Sequence, residues 1–357
     1  MFQIIKENNK TKSRIGKFEI KDRVYETPNF VLNNIEPQLF FLKNKQEENI
    51  SKINNSFLEI NTLKIWELFG EEEINFALGI HNILDWKGPI ISSSLSKNLF
   101  NFPKSNLTIN NSGIYLEKPE EGIEDYFDAE LSLKIQEELK TDIISAFNLP
   151  IFLDDDYNLA KEKVEKSNHW QQRFLEAKTS LQLSFGIIDG GLFDDLIEKN
   201  SKFINNLNFD GFILENLSND KNFEKISLAL SYLSLAKPKY LKNLKSFKNL
   251  IEFIKKGVDL FDVSFIIAES LNGFMFTSNK IIDLKNEEPD IETSCECKIC
   301  TDYNSNLNLL VKNKEEKIIN ELIIHNILFT ENLFNLIRKG IETEKLEDVI
   351  KYFENIL

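Results

Sequence analysis

Residues 181–191 read LQLSFGIIDGG: a short, largely apolar run stops at Asp189 and a glycine pair, and an amphipathic segment follows to about Leu207. A run of that length bounded by a turn signal predicts a strand, and the 3.6-residue pattern beyond it predicts a helix. The unit recurs. GFIL at 211–214 predicts the next strand, with a helix over 221–235; YLKNL at 240–244 follows, then a helix to about Lys256, then DLFDVSF at 259–265. Upstream, KGPIIS at 87–92 and TDIISAF at 141–147 have the same character. Short strands alternating with helices imply βα units and a parallel sheet, so the fold class is α/β. A (β/α)8 barrel is the expected closure, although an open doubly wound sheet shares these local signals. A barrel would gather its chemistry at the C-terminal strand ends. Those positions are Ser92 and Ser93, Asn148, Asp189, Glu215, Asn243 and Asp262.

The 357 residues carry 43 Lys+Arg against 57 Asp+Glu, a net charge of −14, with 42% hydrophobic and 28% charged residues. That balance buries a core. We expect one barrel domain over 1–357, with a zinc-binding subdomain over 286–330 inserted before a closing C-terminal helix, in which Leu346, Val349, Ile350, Phe353 and Leu357 share a face. A net negative charge argues against a general nucleic-acid coat or an anionic-membrane binder. A local basic groove stays open, and Lys237, Lys239, Lys242, Lys245 and Lys248 are its candidates near the mouth. No run approaches the ~20 apolar residues of a membrane helix, and the opening MFQIIKENNKTKSRIGKF is no signal peptide. The expected location is cytoplasmic, with neither membrane nor DNA as partner.

All three cysteines fall within six residues, Cys295-x-Cys297-x2-Cys300, and His325 follows in the apolar helical segment ELIIHNIL. An odd, clustered count makes no disulfide framework. Three thiolates and one imidazole form a closed tetrahedral set for structural Zn2+, and their softness disfavours magnesium or calcium.

Several segments, in order, resemble the tRNA-guanine transglycosylases, which exchange a guanine in tRNA for a 7-deazaguanine on the route to queuosine. Arg14-Ile15-Gly16-Lys17-Phe18 and Thr27-Pro28-Asn29-Phe30 are similar to that family's opening strands. His81-Asn82-Ile83-Leu84-Asp85-Trp86-Lys87-Gly88-Pro89-Ile90, Phe185-Gly186-Ile187-Ile188-Asp189-Gly190-Gly191, Phe209-Asp210-Gly211-Phe212 and Gly257-Val258-Asp259-Leu260-Phe261-Asp262 resemble further family motifs. The CxCxxC…His spacing matches its zinc site. The resemblance implies a (β/α)8 barrel with a zinc-bearing insertion.

The resemblance also implies site residues, and here the chain departs from the pattern. Asp262 matches the nucleophile that would hold ribose covalently. Ser93 stands where the family has its acid/base Asp, and Lys97 where it has a base-stacking aromatic. Asn148 replaces an Asp that reads the base edge, Asp189 a base-binding Gln, Glu215-Asn216 a Gly-Gly pair, and Lys242-Asn243 a Met-Gly wall. Ala268 stands where a tRNA-facing Arg would be. Barrel-building segments and zinc ligands survive while base-handling positions change. The expected function is therefore a catalytically impaired homologue linked to tRNA queuosine modification. It would bind tRNA, or act as a homodimer or as a heterodimer with an active paralogue. One alternative is an active transglycosylase or N-glycosidic-bond enzyme of altered base specificity, with Asp262 as nucleophile and Asp189 or Glu215 as second carboxylate. Another is a purely structural or interaction protein.

Overall fold

The computed structural model describes residues 1–8, 10–33, 56–94, 106–118, 123–218, 224–287, 297–302, 307–313 and 315–357. An antiparallel meander comes first: β1 (Phe2–Glu7), β2 (Arg14–Ile20) and β3 (Arg23–Thr27). The barrel then begins with β4 (Asn29–Asn33), β5 (Phe57–Ile60) and β6 (Ile90–Ser92). A second antiparallel meander, β7 (Leu107–Ile109), β8 (Ile114–Lys118) and β9 (Ile123–Phe127), interrupts it. The barrel resumes with β10 (Ile143–Ser145), β11 (Leu183–Ile188), β12 (Gly211–Leu214), β13 (Lys239–Leu241) and β14 (Leu260–Asp262). All eight barrel strands pair in parallel, and β14 closes on β4 with Phe261 opposite Phe30 and Asp262 opposite Val31. The α/β barrel expected from the sequence is the observed fold, and the open sheet is not.

Side chains alternate along each strand with period two. One set points inward: Val31, Phe57, Ile91, Ile143, Phe185, Ile187, Ile213, Tyr240 and Leu260 form a single buried cluster. Phe18 of the first meander joins it, fully buried, with its ring 5.4 Å from that of Phe57. The meander thus plugs the barrel at the N-terminal ends of its strands. The outward set, including Phe30, Leu58, Ile90, Ile144, Phe212, Leu241 and Phe261, packs in the main core with the helices.

Strand positions expected from the sequence hold: GFIL is Gly211–Leu214 as expected, the strand expected at 240–244 is Lys239–Leu241, and the others are shorter. TDIISAF contributes Ile143–Ser145 and DLFDVSF contributes Leu260–Asp262. The pair after β11 has a steric reason: a Cβ on Gly190 would lie 2.4 Å from the backbone nitrogen of Ile197, and Gly191 has φ +58°. Only glycine lets the helix Asp194–Asn205 start so close to its strand. The apolar pattern at 313–328 belongs to a longer helix, Glu316–Glu342. Sequence reading missed β7–β9 and the helix Tyr157–Ala177. At the C-terminus Leu346 and Phe353 are buried, with Val349, Ile350 and Leu357 packed against the same core.

An ion cluster fastens the first meander to the barrel floor. Asp142, just before β10, accepts from the Ile90 N–H at 2.8 Å and contacts His81 Nε2 at 2.9 Å and Lys21 Nζ at 2.9 Å. Burial alone would raise the Asp142 carboxyl, but His81, Lys21 and the Ile90 N–H together hold it below its usual value. A depressed carboxyl stabilises the fold fully above its unfolded pKa, and that contribution fades as pH falls through the folded value. Asp142→Asn should therefore cost about 1–3 kcal/mol at pH 7. Urea unfolding at stepped pH should show the gap to the parent protein narrowing below about pH 4.

Candidate functional site

The C-terminal end of the barrel carries a buried ionic network. Asp262 ends β14 with no exposed surface; its Oδ1 accepts from the Ser264 N–H at 2.9 Å and its Oδ2 from the Asn243 N–H at 3.1 Å. Asn243 sits just beyond β13 at φ +59°, which turns its N–H toward that carboxylate. Lys242, 6% exposed, donates to Glu59 and lies 3.6 Å from Glu215 Oε1. Glu59 also accepts from the Tyr240 hydroxyl at 2.6 Å, and Glu215 faces the Asn243 side-chain amide at 3.5 Å. Among the described residues, three buried carboxylates thus share one enclosure with a single ammonium, which contacts Glu59 and Glu215 directly.

Electrostatics follow from that imbalance. Burial works against a charged Lys242, yet Glu59, Glu215 and Asp262 outweigh it and raise its pKa, so the ammonium is retained. Glu59 is pushed up, first by burial and then by the Asp262 charge, against the pull of Lys242 and Tyr240. Tyr240 is driven well above its ordinary value by burial and by the Glu59 carboxylate, and remains a hydroxyl donor.

Asp189 and Asn216 form a second pair. Asn216, at φ +59°, donates from Nδ2 to Asp189 at 3.0 and 3.1 Å and to the Ile151 carbonyl at 2.8 Å. Asp189 also accepts the Gly191 N–H at 3.0 Å and the Ile151 N–H at 3.4 Å. Its carboxylate knits three strand-end loops. Ser93 donates its hydroxyl to the Ile60 carbonyl at 3.0 Å, and Thr62 donates to the Ser93 carbonyl. Ser92 turns away from the mouth, toward Gln136 of the helix Ala129–Glu138, at 2.8 Å. Asn148 is buried three residues beyond its strand. Lys97 lies outside the described residues.

Of the positions singled out from sequence, Asp262, Glu215, Lys242 and Asn243 meet in one network, and Asp189 with Asn216 in another. Glu59 and Tyr240 were missed. Tyr240 stood inside a recognised strand, but nothing in the sequence marked FLEI at 57–60 as one. The basic groove near the mouth needs correcting as well. Lys239 opens its strand at the opposite end of the barrel and is 1% exposed, Lys237 lies half-buried just before that strand, and Lys242 is consumed by the carboxylates, which leaves Lys245 and Lys248 exposed.

At the C-terminal side, Cys297, Cys300 and His325 converge, all buried, their ligand atoms within 4.8 Å of one another. His325 Nδ1 lies 3.2 Å from Cys297 Sγ and 3.4 Å from Cys300 Sγ. Its Nε2 lies 2.9 Å from the Phe276 carbonyl on the strand Phe274–Phe276. A carbonyl accepts only, so Nε2 carries the hydrogen and Nδ1 presents its lone pair to the thiols. A metal-ligating imidazole has that arrangement. These residues can hold a soft metal ion with sulfur and nitrogen donors. Cys295, the expected further thiolate, lies outside the described residues.

The fold and this triad define a class: a closed (β/α)8 barrel with a Cys/His cluster able to hold a metal ion packed beside it. A family model described as queuine tRNA-ribosyltransferase matches residues 9–356. The chain belongs to that family. Proteins named queuine tRNA-ribosyltransferase from Blochmanniella floridana (27% identical, covering 96% of this chain and 93% of theirs) and Staphylococcus haemolyticus (28%, 97% and 94%) are similar to it. So is one from Listeria welshimeri at 27%, with 99% and 95% covered. Among the described residues no helix is long and apolar enough to cross a membrane.

Two measurements bear on these clusters. Lys242→Met would leave Glu59 and Glu215 without their counter-charge and should cost about 3–5 kcal/mol in urea unfolding. Adding Glu59→Gln to that variant should recover part of the loss, whereas strict additivity would mean the pair is not coupled. For the knuckle, His325→Ala should abolish a metal content of about one ion per chain in the parent protein. Elemental analysis reads that directly, and a metal content unchanged in His325→Ala would remove His325 from the ligand set.

Proposed function

We propose that this chain is a catalytically impaired member of its family, linked to queuosine modification of tRNA through binding of tRNA or of an active family partner. The observation that carries the reading is the Lys242 ammonium held between Glu59 and Glu215 in the barrel mouth. A base pocket needs unmatched hydrogen-bonding groups aimed at the base edge. Here the mouth carboxylates already have partners within the chain, and Asp262 is held by two backbone N–H groups. Both of its oxygens therefore already accept within the chain. Ser93, at the position of the family's acid/base Asp, has its hydroxyl on a backbone carbonyl. Loss of one acid/base group lowers a rate by roughly 10²–10⁴-fold. Within this reading the knuckle takes structural Zn2+, with Cys295 completing Cys297, Cys300 and His325. Homodimerisation or pairing with an active paralogue, and a cytoplasmic location, belong to the same proposal.

One observation favours a second reading. Burial raises the Glu59 carboxyl, and Glu59 shares the enclosure with Asp262, so the mouth holds the two carboxyl groups that acid/base chemistry at a glycosidic bond requires. An enzyme of altered base specificity would then use Asp262 as nucleophile and Glu59 as proton donor. Labelled-guanine exchange into tRNA, run beside a gel shift, separates the two. Impairment predicts tRNA retention or partner co-purification with no exchange above background. Robust exchange or base release that disappears in both Asp262→Ala and Glu59→Gln would overturn it and establish the second reading.

A further inference from the structure

The floor of the barrel holds a cluster that the mouth does not use. Lys239 begins β13 there and is 1% exposed, an unusual depth for an ammonium. Among the described residues its Nζ has a single hydrogen-bond acceptor, the Leu235 carbonyl at 3.3 Å. An ammonium has three donors, so most of its capacity is unmatched. The neighbouring acid is already taken. Asp259 accepts from Arg14 Nε at 2.8 Å and Arg14 Nη2 at 2.7 Å, and also from the backbone N–H of Lys239 at 2.8 Å.

Lys239 lines a cavity of about 180 Å³ together with Asn8, Thr11, Lys12, Arg14 and Lys256. Thr11, Lys12 and Lys256 also line a wider hollow of about 600 Å³, to which Lys10 and Lys255 contribute. Opposing them, the two linings contain one carboxylate each, Glu7 and Glu252. Lys255 is paired with Glu252 and Glu347, but Lys10, Lys12, Lys239 and Lys256 still make this a basic basin on a chain of net charge −14. It runs from an exposed rim at Lys12 down to a buried cation.

We propose that this basin binds a phosphate-sized oxyanion, with Lys239 at its base and Lys12 at its rim. The cavity is large enough for one tetrahedral oxyanion, and the adjoining hollow leaves room for whatever the phosphate is attached to. Burial, reinforced by Arg14, pushes the Lys239 ammonium down to about 7, so an unliganded site is only partly charged near neutrality. An arriving anion supplies the missing acceptors and draws the proton back onto Nζ. Binding therefore takes up a proton and weakens as pH rises above 7.

Calorimetric titration of the full chain with inorganic phosphate, at an ionic strength fixed with chloride, tests this. Saturable binding with proton uptake is expected. Lys239→Met should weaken it on the order of tenfold or more, because a charge-assisted contact is lost from a desolvated site. Lys12→Met, at an exposed position, should weaken it by several-fold and keeps the test decisive if Lys239→Met does not fold. Phosphate binding no stronger than chloride, or unchanged by Lys12→Met and Lys239→Met, would overturn the site as an adventitious patch. Competition identifies the source of the phosphate. Weaker tRNA retention in Lys12→Met and in added phosphate assigns the basin to an RNA backbone. Unchanged tRNA retention beside intact phosphate binding assigns it to a small phosphomonoester.

Discussion

Closure of β14 onto β4 is the constraint on which the rest of the structure depends. Once Phe261 pairs with Phe30 and Asp262 with Val31, eight parallel strands have no free edge and all their C-terminal ends face one way. Glu59, Glu215 and Asp262 are then carried into a common enclosure by strands far apart in sequence. Three carboxylates cannot share a dry enclosure without a counter-charge. Lys242 is that counter-charge, delivered by a fourth strand. The ionic network is therefore a consequence of closure, and its composition decides what chemistry the mouth retains.

The two ends of the barrel are built on different principles. At the floor, charges tie separate parts of the chain together: Arg14 of β2 grips Asp259 before β14, and Lys21 and His81 grip Asp142 before β10. These bonds fix the plug formed by Phe18 and its neighbours. At the mouth, charges are matched within the ring of strand ends, and the loops are stitched by Asp189 and Asn216. Floor bonds hold the architecture; mouth bonds set the electrostatics around Asp262. Lys239 breaks the pattern, a floor cation whose nearby carboxylate already belongs to Arg14.

Much of this was legible in the sequence. The βα rhythm from 181 onward located four consecutive barrel strands, because short apolar runs ending in glycine or polar residues have few other readings. The knuckle was legible because thiols so closely spaced are rare. Glu59 was not. Its strand is four residues long, follows a polar Asn/Ser-rich stretch, and places a glutamate in the middle of FLEI, so neither alternation nor an apolar run betrays it. The partnership of Lys242 with Glu59 spans 183 residues and has no local trace at all. A lysine in a run of surface-like lysines reads as solvated; only the barrel's geometry turns it inward. Lys239, three residues earlier, is hidden for the same reason at the other end.

The helix Glu316–Glu342 runs from the Cys/His cluster to the barrel seam. At 27 residues it is about 40 Å long. It carries His325 beside the two thiols and, nine residues on, Phe334, whose ring lies 5.5 Å from Phe30 and 5.9 Å from Phe261, the paired residues of the closing strands. A helix is stiff over two and a half turns. The imidazole of the Cys/His cluster and the ring that covers the barrel seam are therefore set at a fixed spacing by a single rigid element.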